Sequence, residues 1–112
     1  MALVRQNGSV PLQSAATTTA TGGWTKCYGP AQAYQVVANG TAGAYSATVV
    51  IEASNDGSTA VGTVLGTITV SGTATTAASD GFTTGLAPWA WIRARVTAIS
   101  GTGASVSTWM GC

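Results

Sequence analysis

Charged side chains are scarce in this sequence. They make up 6% of the residues, with four Lys and Arg against three Asp and Glu. An ordinary soluble domain carries about 25% charged residues. Charged residues, above all lysines on exposed strand edges, are what keep most β-proteins from associating with one another. We therefore expect the working state of this chain to be packed into a larger assembly, with Ser, Thr, Gly, Asn and Gln forming its polar surface.

Histidine is absent, and the acidic residues are Glu52, Asp56 and Asp80. Without histidine, the many Ser and Thr hydroxyls have no ordinary base to activate them. Asp56 and Asp80 each precede a glycine, in turn sequences where an aspartate usually hydrogen-bonds the local backbone, so a glycosidase pair is not indicated. Cys27 and Cys112 are too few for a zinc site. We expect no enzymatic activity, no metal site and no cofactor.

Long apolar runs and basic clusters are also missing. No stretch approaches the roughly 20 apolar residues that a membrane helix needs. The net charge of +1 does not suit a protein that neutralises phosphates. The N-terminal sequence MALVRQNGS has no hydrophobic signal-peptide core. We expect neither a membrane nor a nucleic-acid partner, and we favour reduced thiols at Cys27 and Cys112, although two cysteines are compatible with one disulfide.

The clearest strand pattern lies within residues 88–111. One set of alternate positions is aliphatic, and the other set carries aromatic and basic side chains. The aliphatic set is Ala90, Ile92, Ala94, Val96 and Ala98. The other set is Trp89, Trp91, Arg93, Arg95 and Thr97. A period of two is typical of a strand with one buried face, so we predict that the aliphatic set faces the core.

Turn-forming residues at 100–103 separate this run from a second alternating run. The predicted inward residues of the second run are Ala104, Val106, Thr108 and Met110. We predict a hairpin in which Trp109 lies opposite or diagonal to Arg93 and Arg95. Trp and Arg dominate protein–protein hot spots, so we interpret this face as a contact surface. The alternative is that this side faces the core and the arginines extend past it to solvent.

Further short strands are predicted upstream, with turn signals about 8–12 residues apart, and no segment has the period of a helix. They are residues 24–28, 32–38, 45–54, 61–70 and 82–84, with 73–79 as a weak edge strand or a loop. We predict an all-β fold: an antiparallel, jelly-roll-like β-sandwich with about seven or eight strands in two sheets.

Two of these strands have predicted faces. Strand 45–54 is expected to turn Ile51 inward and Glu52 outward, and strand 61–70 to place Val64 on the same face as Ile68. Strand 61–70 carries no charge, so an uncovered edge there would favour association. Coverage by a neighbouring copy or by an N-terminal arm would remove that exposure.

The first 23 residues differ from the rest. Leu3 and Val4 could pair as a short strand, but residues 13–23 have neither a helical period nor a large side chain to bury. We interpret residues 1–23 as an extended N-terminal arm and residues 24–112 as the β-sandwich domain; a disordered tail is the alternative. Ordering a backbone costs about 1–2 kcal/mol per residue, so we expect the arm to order only against a partner surface.

Several motifs resemble a known class of proteins. They are EASNDGS at 52–58, LGTIT at 65–69, SGT at 71–73, DGF at 80–82, and the run from Ala87-Pro88-Trp89 to Gly111. Together they resemble small proteins encoded in the structural modules of tailed bacteriophages, over residues 45–112. The chain departs from that pattern at residues 60–62, Ala-Val-Gly, where a family member usually carries a bulky residue.

The resemblance implies a virion component, and many small β-sandwiches of this kind are capsid decoration (cement) proteins. Such a protein binds the major capsid protein on the capsid surface, is assembled in the host cytoplasm, and is often a homo-oligomer, here a trimer or dimer. No catalytic or ligand motif is carried over. The candidate contact residues are Trp89, Trp91, Arg93, Arg95 and Trp109 of the hairpin, with Leu3, Val4 and Arg5 of the arm.

Two other functions fit the same sequence. A tail or fibre protein has the same compositional needs as a capsid protein. A glycan-binding β-sandwich module is the alternative from another class, because Trp89, Trp91 and Trp109 could stack on the faces of sugars.

Overall fold

The structure is a computed structural model, and it describes residues 9–26, 32–58, 62–85 and 89–111. Within these ranges the chain forms nine β-strands and no helix, which confirms the predicted all-β class. The strands are β1 (Ser9–Ala16), β2 (Ala20–Thr21), β3 (Thr25–Lys26), β4 (Gln32–Asn39), β5 (Ala42–Ser54), β6 (Thr63–Thr73), β7 (Ala78–Gly85), β8 (Trp91–Thr102) and β9 (Ser105–Gly111).

The strands form two antiparallel sheets that pack as a sandwich. The four-stranded sheet has the order β1-β9-β4-β7, and the other sheet has the order β2-β8-β5-β6, with β3 also paired to β8. The pairs are nested along the chain: β5 pairs with β6, β4 with β7, β2 and β3 with β8, and β1 with β9. A long hairpin rolled up in this way is a jelly roll, as the sequence predicted.

The core fills the space between the sheets with small and branched side chains. Four branched residues at predicted core positions are all buried, at 0 to 3% exposure: Ile51, Ile68, Ile92 and Val96. The predicted inward residues of the second run, Ala104, Val106, Thr108 and Met110, are buried as well. Alternation along the strands therefore identified the core correctly wherever the strands are regular.

Two β-bulges, one on β8 and one on β6, account for residues whose predicted face was wrong. On β8, Val96 pairs with Val49 and Ala98 with Thr48, so Thr97 is an extra residue. On β6, Leu65 is extra in the same way, because Gly66 and Val64 pair with consecutive residues of β5. An extra residue shifts every later side chain to the other face. Ala98 and Val64 are consequently exposed, and the prediction that they share the faces of Ile92 and Ile68 was wrong.

The two runs of the predicted hairpin belong to opposite sheets. β8 pairs with β5 in the five-stranded sheet, whereas β9 pairs with β1 and β4 in the four-stranded sheet. The turn is formed as expected, with positive φ at Gly101 and Gly103. It carries the chain from one sheet to the other, so the predicted pairing of Trp109 with Arg93 and Arg95 was wrong.

Part of the predicted arm lies against the sandwich itself. β1 pairs with β9 from Ser9 to Ala16, and β2 pairs with β8. Leu12, one residue upstream of the run without large side chains, is 6% exposed and belongs to the core cluster. The described part of the arm is therefore ordered by pairing with strands of the same chain. Leu3, Val4 and Arg5, as well as Cys27 and Cys112, lie outside the described residues.

One tyrosine packs closely against the backbone at three glycine positions. Tyr45, at the start of the regular part of β5, is buried, and its hydroxyl donates a hydrogen bond to the carbonyl of Thr76. A Cβ atom at Gly40, Gly72 or Gly101 would lie 3.1, 2.5 or 2.7 Å from atoms of this tyrosine. Gly40 and Gly72 therefore leave space for the ring and its hydroxyl, and Gly101 allows two backbone segments to approach each other at the Cβ of Tyr45.

We expect Ala15→Gly to raise the free energy of unfolding by about 0.5–1 kcal/mol. Ala15 has a φ of 48°, in the left-handed region that costs an L-residue about 1–2 kcal/mol and costs glycine nothing. Ala16→Gly is the matched control, because Ala16 has no positive φ and packs partly against the core. Urea unfolding of both variants measures the difference. Equal destabilisation by the two glycines would contradict the assigned conformation.

Candidate interaction surface

Three of the predicted contact residues lie in a row on the outer face of the five-stranded sheet. Trp91, Arg93 and Arg95 alternate along β8 with buried Ile92 and Ala94. The side chains of this row therefore point away from the core, as predicted. The hypothesis that the Trp/Arg side is the core-facing one does not hold for β8.

Arg93 is nevertheless buried, and it pairs with Glu52. The two residues are directly opposite in the β5–β8 ladder, and Arg93 Nε donates to Glu52 Oε1 at 2.8 Å. Their side chains are 11% and 3% exposed. Glu52 lies on the outer face of β5, as predicted, but it is not a solvent-exposed residue. A buried ion pair of this kind holds both side chains in fixed positions.

Trp24 and the backbone at Gly62 cover the ion pair. The Arg93 guanidinium lies 4.4 Å from the centre of the Trp24 ring, which is a cation–π distance. A Cβ atom at Gly62 would lie 2.7 Å from Trp24 and 3.0 Å from the Cβ of Glu52. Trp24, Glu52 and Arg93 thus form a small second layer outside the sheet, in which glycine allows the backbone to approach closely.

Trp91 lies beside this layer, under the β5–β6 connection. A Cβ atom at Gly57 would lie 2.6 Å from the Trp91 indole, and the Lys26 ammonium is 5.4 Å from its ring centre. The described first part of this connection, residues 55–58, is held in shape by Ser54, whose hydroxyl donates to Asp56 at 2.7 Å. Trp91 therefore packs partly on its own chain and presents only part of its ring to a partner.

Arg95 is the accessible cation of the row. Its side chain is 40% exposed, and one guanidinium nitrogen lies 3.3 Å from Glu52 Oε2. It borders a shallow groove of about 340 Å³ whose other walls are Thr19, Ala20, Thr21, Val96 and Thr97. The outer face therefore offers one partly exposed guanidinium among small hydroxyl side chains.

Trp89 and Trp109 lie elsewhere. Trp89 packs against the hydrophobic core, and its carbonyl accepts a hydrogen bond from Gln32 Nε2 at 2.9 Å, so its predicted place in the Trp/Arg row was wrong. Trp109 is on the outer face of the four-stranded sheet, between Pro11 of β1 and Gln35 of β4. Sequence alternation alone could not separate these positions, because the sheets are assigned by pairing with distant strands.

The face around Trp109 carries no charge. The outward residues of the two central strands β4 and β9 are Ala33, Gln35, Val37, Asn39, Ser105, Ser107 and Trp109. Asp80 of the edge strand β7 pairs with the inward residue Val36, so it belongs to the other side of the sheet. We call this surface the Trp109 face. Among the described residues, it combines one half-buried tryptophan with small uncharged neighbours.

Charge is instead concentrated at one end of the opposite sheet. Of the six charged residues within the described ranges, Lys26, Glu52, Arg93 and Arg95 form one cluster. Asp56 lies in the adjacent connection and Asp80 on β7. Trp24, Lys26 and Glu52 were missed as members of this site. One sequence feature could have placed Glu52 in the cluster: it is the one acidic residue in a predicted strand, and the two arginines of the other strand needed an acidic partner.

The described residues contain no group of three or more His, Cys, Asp or Glu side chains that could hold a metal ion. A second shallow groove, of about 440 Å³, is lined mainly by small hydroxyl residues and glycine between β5, β6 and β8. Ser46 and Ser100 hydrogen-bond each other there at 2.8 Å. In this part of the chain, neither groove brings a hydroxyl together with a base that could activate it.

No helix in the described ranges is long and apolar enough to cross a membrane. Comparisons of the chain with protein-family models, with curated proteins and with solved structures find no match.

Proposed function

We propose that this chain is a structural component of a bacteriophage virion: a capsid decoration protein that binds the assembled head and stabilises it by protein–protein contacts. The observation that carries the proposal is the uncharged Trp109 face. The bacteriophage setting rests on the sequence resemblance described above. The proposed partner is the major capsid protein, and the proposed location is the capsid surface.

The Trp109 face has the composition of an interface centre rather than of free surface. The cores of protein–protein interfaces are depleted in charged residues and enriched in aromatic ones. Tryptophan at the centre of such a patch is a frequent hot spot, surrounded by small neighbours that exclude water. Trp109 is flanked by Pro11 and Gln35 in the strand register, and by Ser107 two residues away. Trp109 lies within the β4–β9 ladder, which has no register shift, so the sheet holds the indole in place before binding and lowers the entropy cost of association.

The charged cluster on the opposite sheet supplies a second, more specific contact. Glu52 and Trp24 fix Arg93, and Glu52 also orients the exposed Arg95. An arginine preorganised in this way can bind a carboxylate of a partner with two hydrogen bonds. The two faces point in opposite directions, so one copy could bridge two neighbouring proteins.

We expect Trp109→Ala to weaken attachment to undecorated phage capsids by about 30-fold or more, the loss typical of a hot-spot residue. Co-sedimentation of the purified chain with capsids measures it, with isolated tails as the control particle. Trp91→Ala is the matched variant, because it removes a tryptophan from the other sheet. Thermal unfolding establishes that both variants remain folded.

The outcomes separate the alternatives. Saturable capsid binding that Trp109→Ala removes and Trp91→Ala keeps supports the proposal. Binding that depends on Trp91 alone would move the contact to the five-stranded sheet and contradict the role of the Trp109 face. Binding to tails alone would make the chain a tail or fibre protein. Binding to neither particle would contradict a virion role and leave a glycan array as the next test.

The contribution of the N-terminal residues to capsid binding requires a separate deletion variant. Removing residues 1–23 would also remove β1 and the buried Leu12, so a loss of binding could come from unfolding. Deleting residues 1–8 leaves β1 intact and removes Leu3, Val4 and Arg5. Unchanged capsid binding after this shorter deletion would exclude those three residues as contacts.

The positions of the three tryptophans restrict the alternative of a glycan-binding module. Trp91 and Trp109 lie on opposite sheets, and Trp89 packs against the core. The three rings therefore do not form a common stacking platform, so a glycan site would have to be built around a single tryptophan.

A further inference from the structure

The five-stranded sheet ends at β6 with a regular edge. Residues 66–73 pair with β5 at eight consecutive positions without a register shift. Within the described parts of the chain, no strand pairs with the other side of β6. Such an edge presents unpaired N–H and C=O groups, which are a template for one more strand.

The other edges carry features that discourage pairing. β1 contains Pro11 and two register shifts. β2 and β3 have two residues each, and β7 carries the exposed charge of Asp80. Proline, bulges, short length and charge are the usual means of blunting an edge. The regular run of β6 has none of them: it contains no charge and no proline, and its one bulge lies before it, at Leu65.

We propose that β6 pairs antiparallel with β6 of a second copy of this chain, about a two-fold axis through Thr69. This inference goes beyond the function proposed above and does not depend on it. In this register Thr69 faces its own counterpart, Thr67 faces Ser71, and Ile68 faces Val70. The two five-stranded sheets then join into one continuous sheet of ten strands.

The side chains favour a second copy over an unrelated strand because the run is complementary to itself. Its outward residues Thr67, Thr69 and Ser71 are all exposed hydroxyl side chains, and cross-strand Thr–Thr and Thr–Ser pairs are favourable. Its inward residues Ile68 and Val70 are both β-branched and buried. A two-fold contact places each patch against itself, so an uncharged strand meets no like-charge repulsion.

We expect sedimentation velocity of the full chain to show a concentration-dependent dimer. Thr69→Lys places two like charges opposite each other at the two-fold axis and should raise the dimer dissociation constant by about fivefold or more. Thr83→Lys is the matched control, since Thr83 is an exposed threonine on β7, the edge strand of the other sheet. It should leave the dimer unchanged.

A mixing experiment tests the register itself. Thr69→Lys and Thr69→Glu should each dimerise more weakly than the wild-type chain when alone, and an equimolar mixture should restore the dimer because opposite charges then face each other. Restoration also requires both variants to be folded. A wild-type chain that stays monomeric, a Thr83→Lys chain that dissociates equally, or a mixture that fails to dimerise would each overturn the proposal.

Discussion

Glu52→Ala is expected to lower the free energy of unfolding by about 3–5 kcal/mol, which is a large part of the ~5–15 kcal/mol that stabilises a typical domain. The loss arises because Arg93 remains buried under Trp24 after its carboxylate is removed. Removing the carboxylate from a buried ion pair is strongly destabilising, because the remaining charge stays out of water without its counter-charge. The contact of Glu52 with the half-exposed Arg95 adds little, since exposed ion pairs are weak.

Urea unfolding followed by tryptophan fluorescence measures this loss. Asp80→Ala is the control: it removes an exposed carboxylate from a strand and should cost less than about 1 kcal/mol. The double variant Glu52→Leu, Arg93→Met should recover most of the stability, because it removes both charges and keeps the volume. Equal effects of Glu52→Ala and Asp80→Ala would show that the buried pair does not contribute as described.

Ile92→Ala is expected to cost about 2–5 kcal/mol. Ile92 is fully buried at 0% exposure and lies between Ala53 of β5 and Thr25 of β3. Ala53, which pairs with Ile92, and Ala94, the next inward residue of β8, have only methyl side chains. Little side chain could therefore move into the cavity that the substitution leaves. The cost should therefore lie toward the upper part of the range, where a site cannot collapse.

Ile99→Ala is the matched control on the same strand. Ile99 is only partly buried, so the same substitution removes fewer contacts and should cost less than about 2 kcal/mol. Both variants can be compared by their urea midpoints if the slopes agree. A larger loss at Ile99 than at Ile92 would mean that the centre of the core lies nearer the β8–β9 turn.

Local alternation was enough to predict the class of fold and most of the core. The faces of Ile51, Ile92 and Val106 follow from a period of two, which each strand carries within its own sequence. The alternation gave wrong faces for Ala98 and Val64, because a bulge adds one residue without changing the character of the sequence around it.

The candidate site depended on contacts between distant residues and was predicted less well. Trp24 and Arg93 are 69 positions apart in the sequence, and no pattern in either segment indicates that the two side chains are in contact. The separation of Trp109 from Arg93 has the same origin, since β8 and β9 choose partners elsewhere in the chain. Gly57 was predicted in a turn and Gly62 in strand 61–70, and neither position indicated that the backbone there approaches an aromatic ring closely.

Tyr45 ties together three glycines that are remote in sequence. Gly40, Gly72 and Gly101 come from different connections and strands; Gly40 and Gly72 leave room for the ring and its hydroxyl, and Gly101 leaves room for the Cα and Cβ atoms of Tyr45. A side chain at position 72 would meet the ring and hydroxyl of Tyr45, and a smaller residue at position 45 would relieve that contact; a side chain at position 101 would also meet the Ala44 carbonyl and the backbone of residue 45. Positions 45 and 72 are therefore expected to covary among homologous chains, whereas glycine is expected at position 101 whatever residue stands at position 45, because Gly101 also has a positive φ.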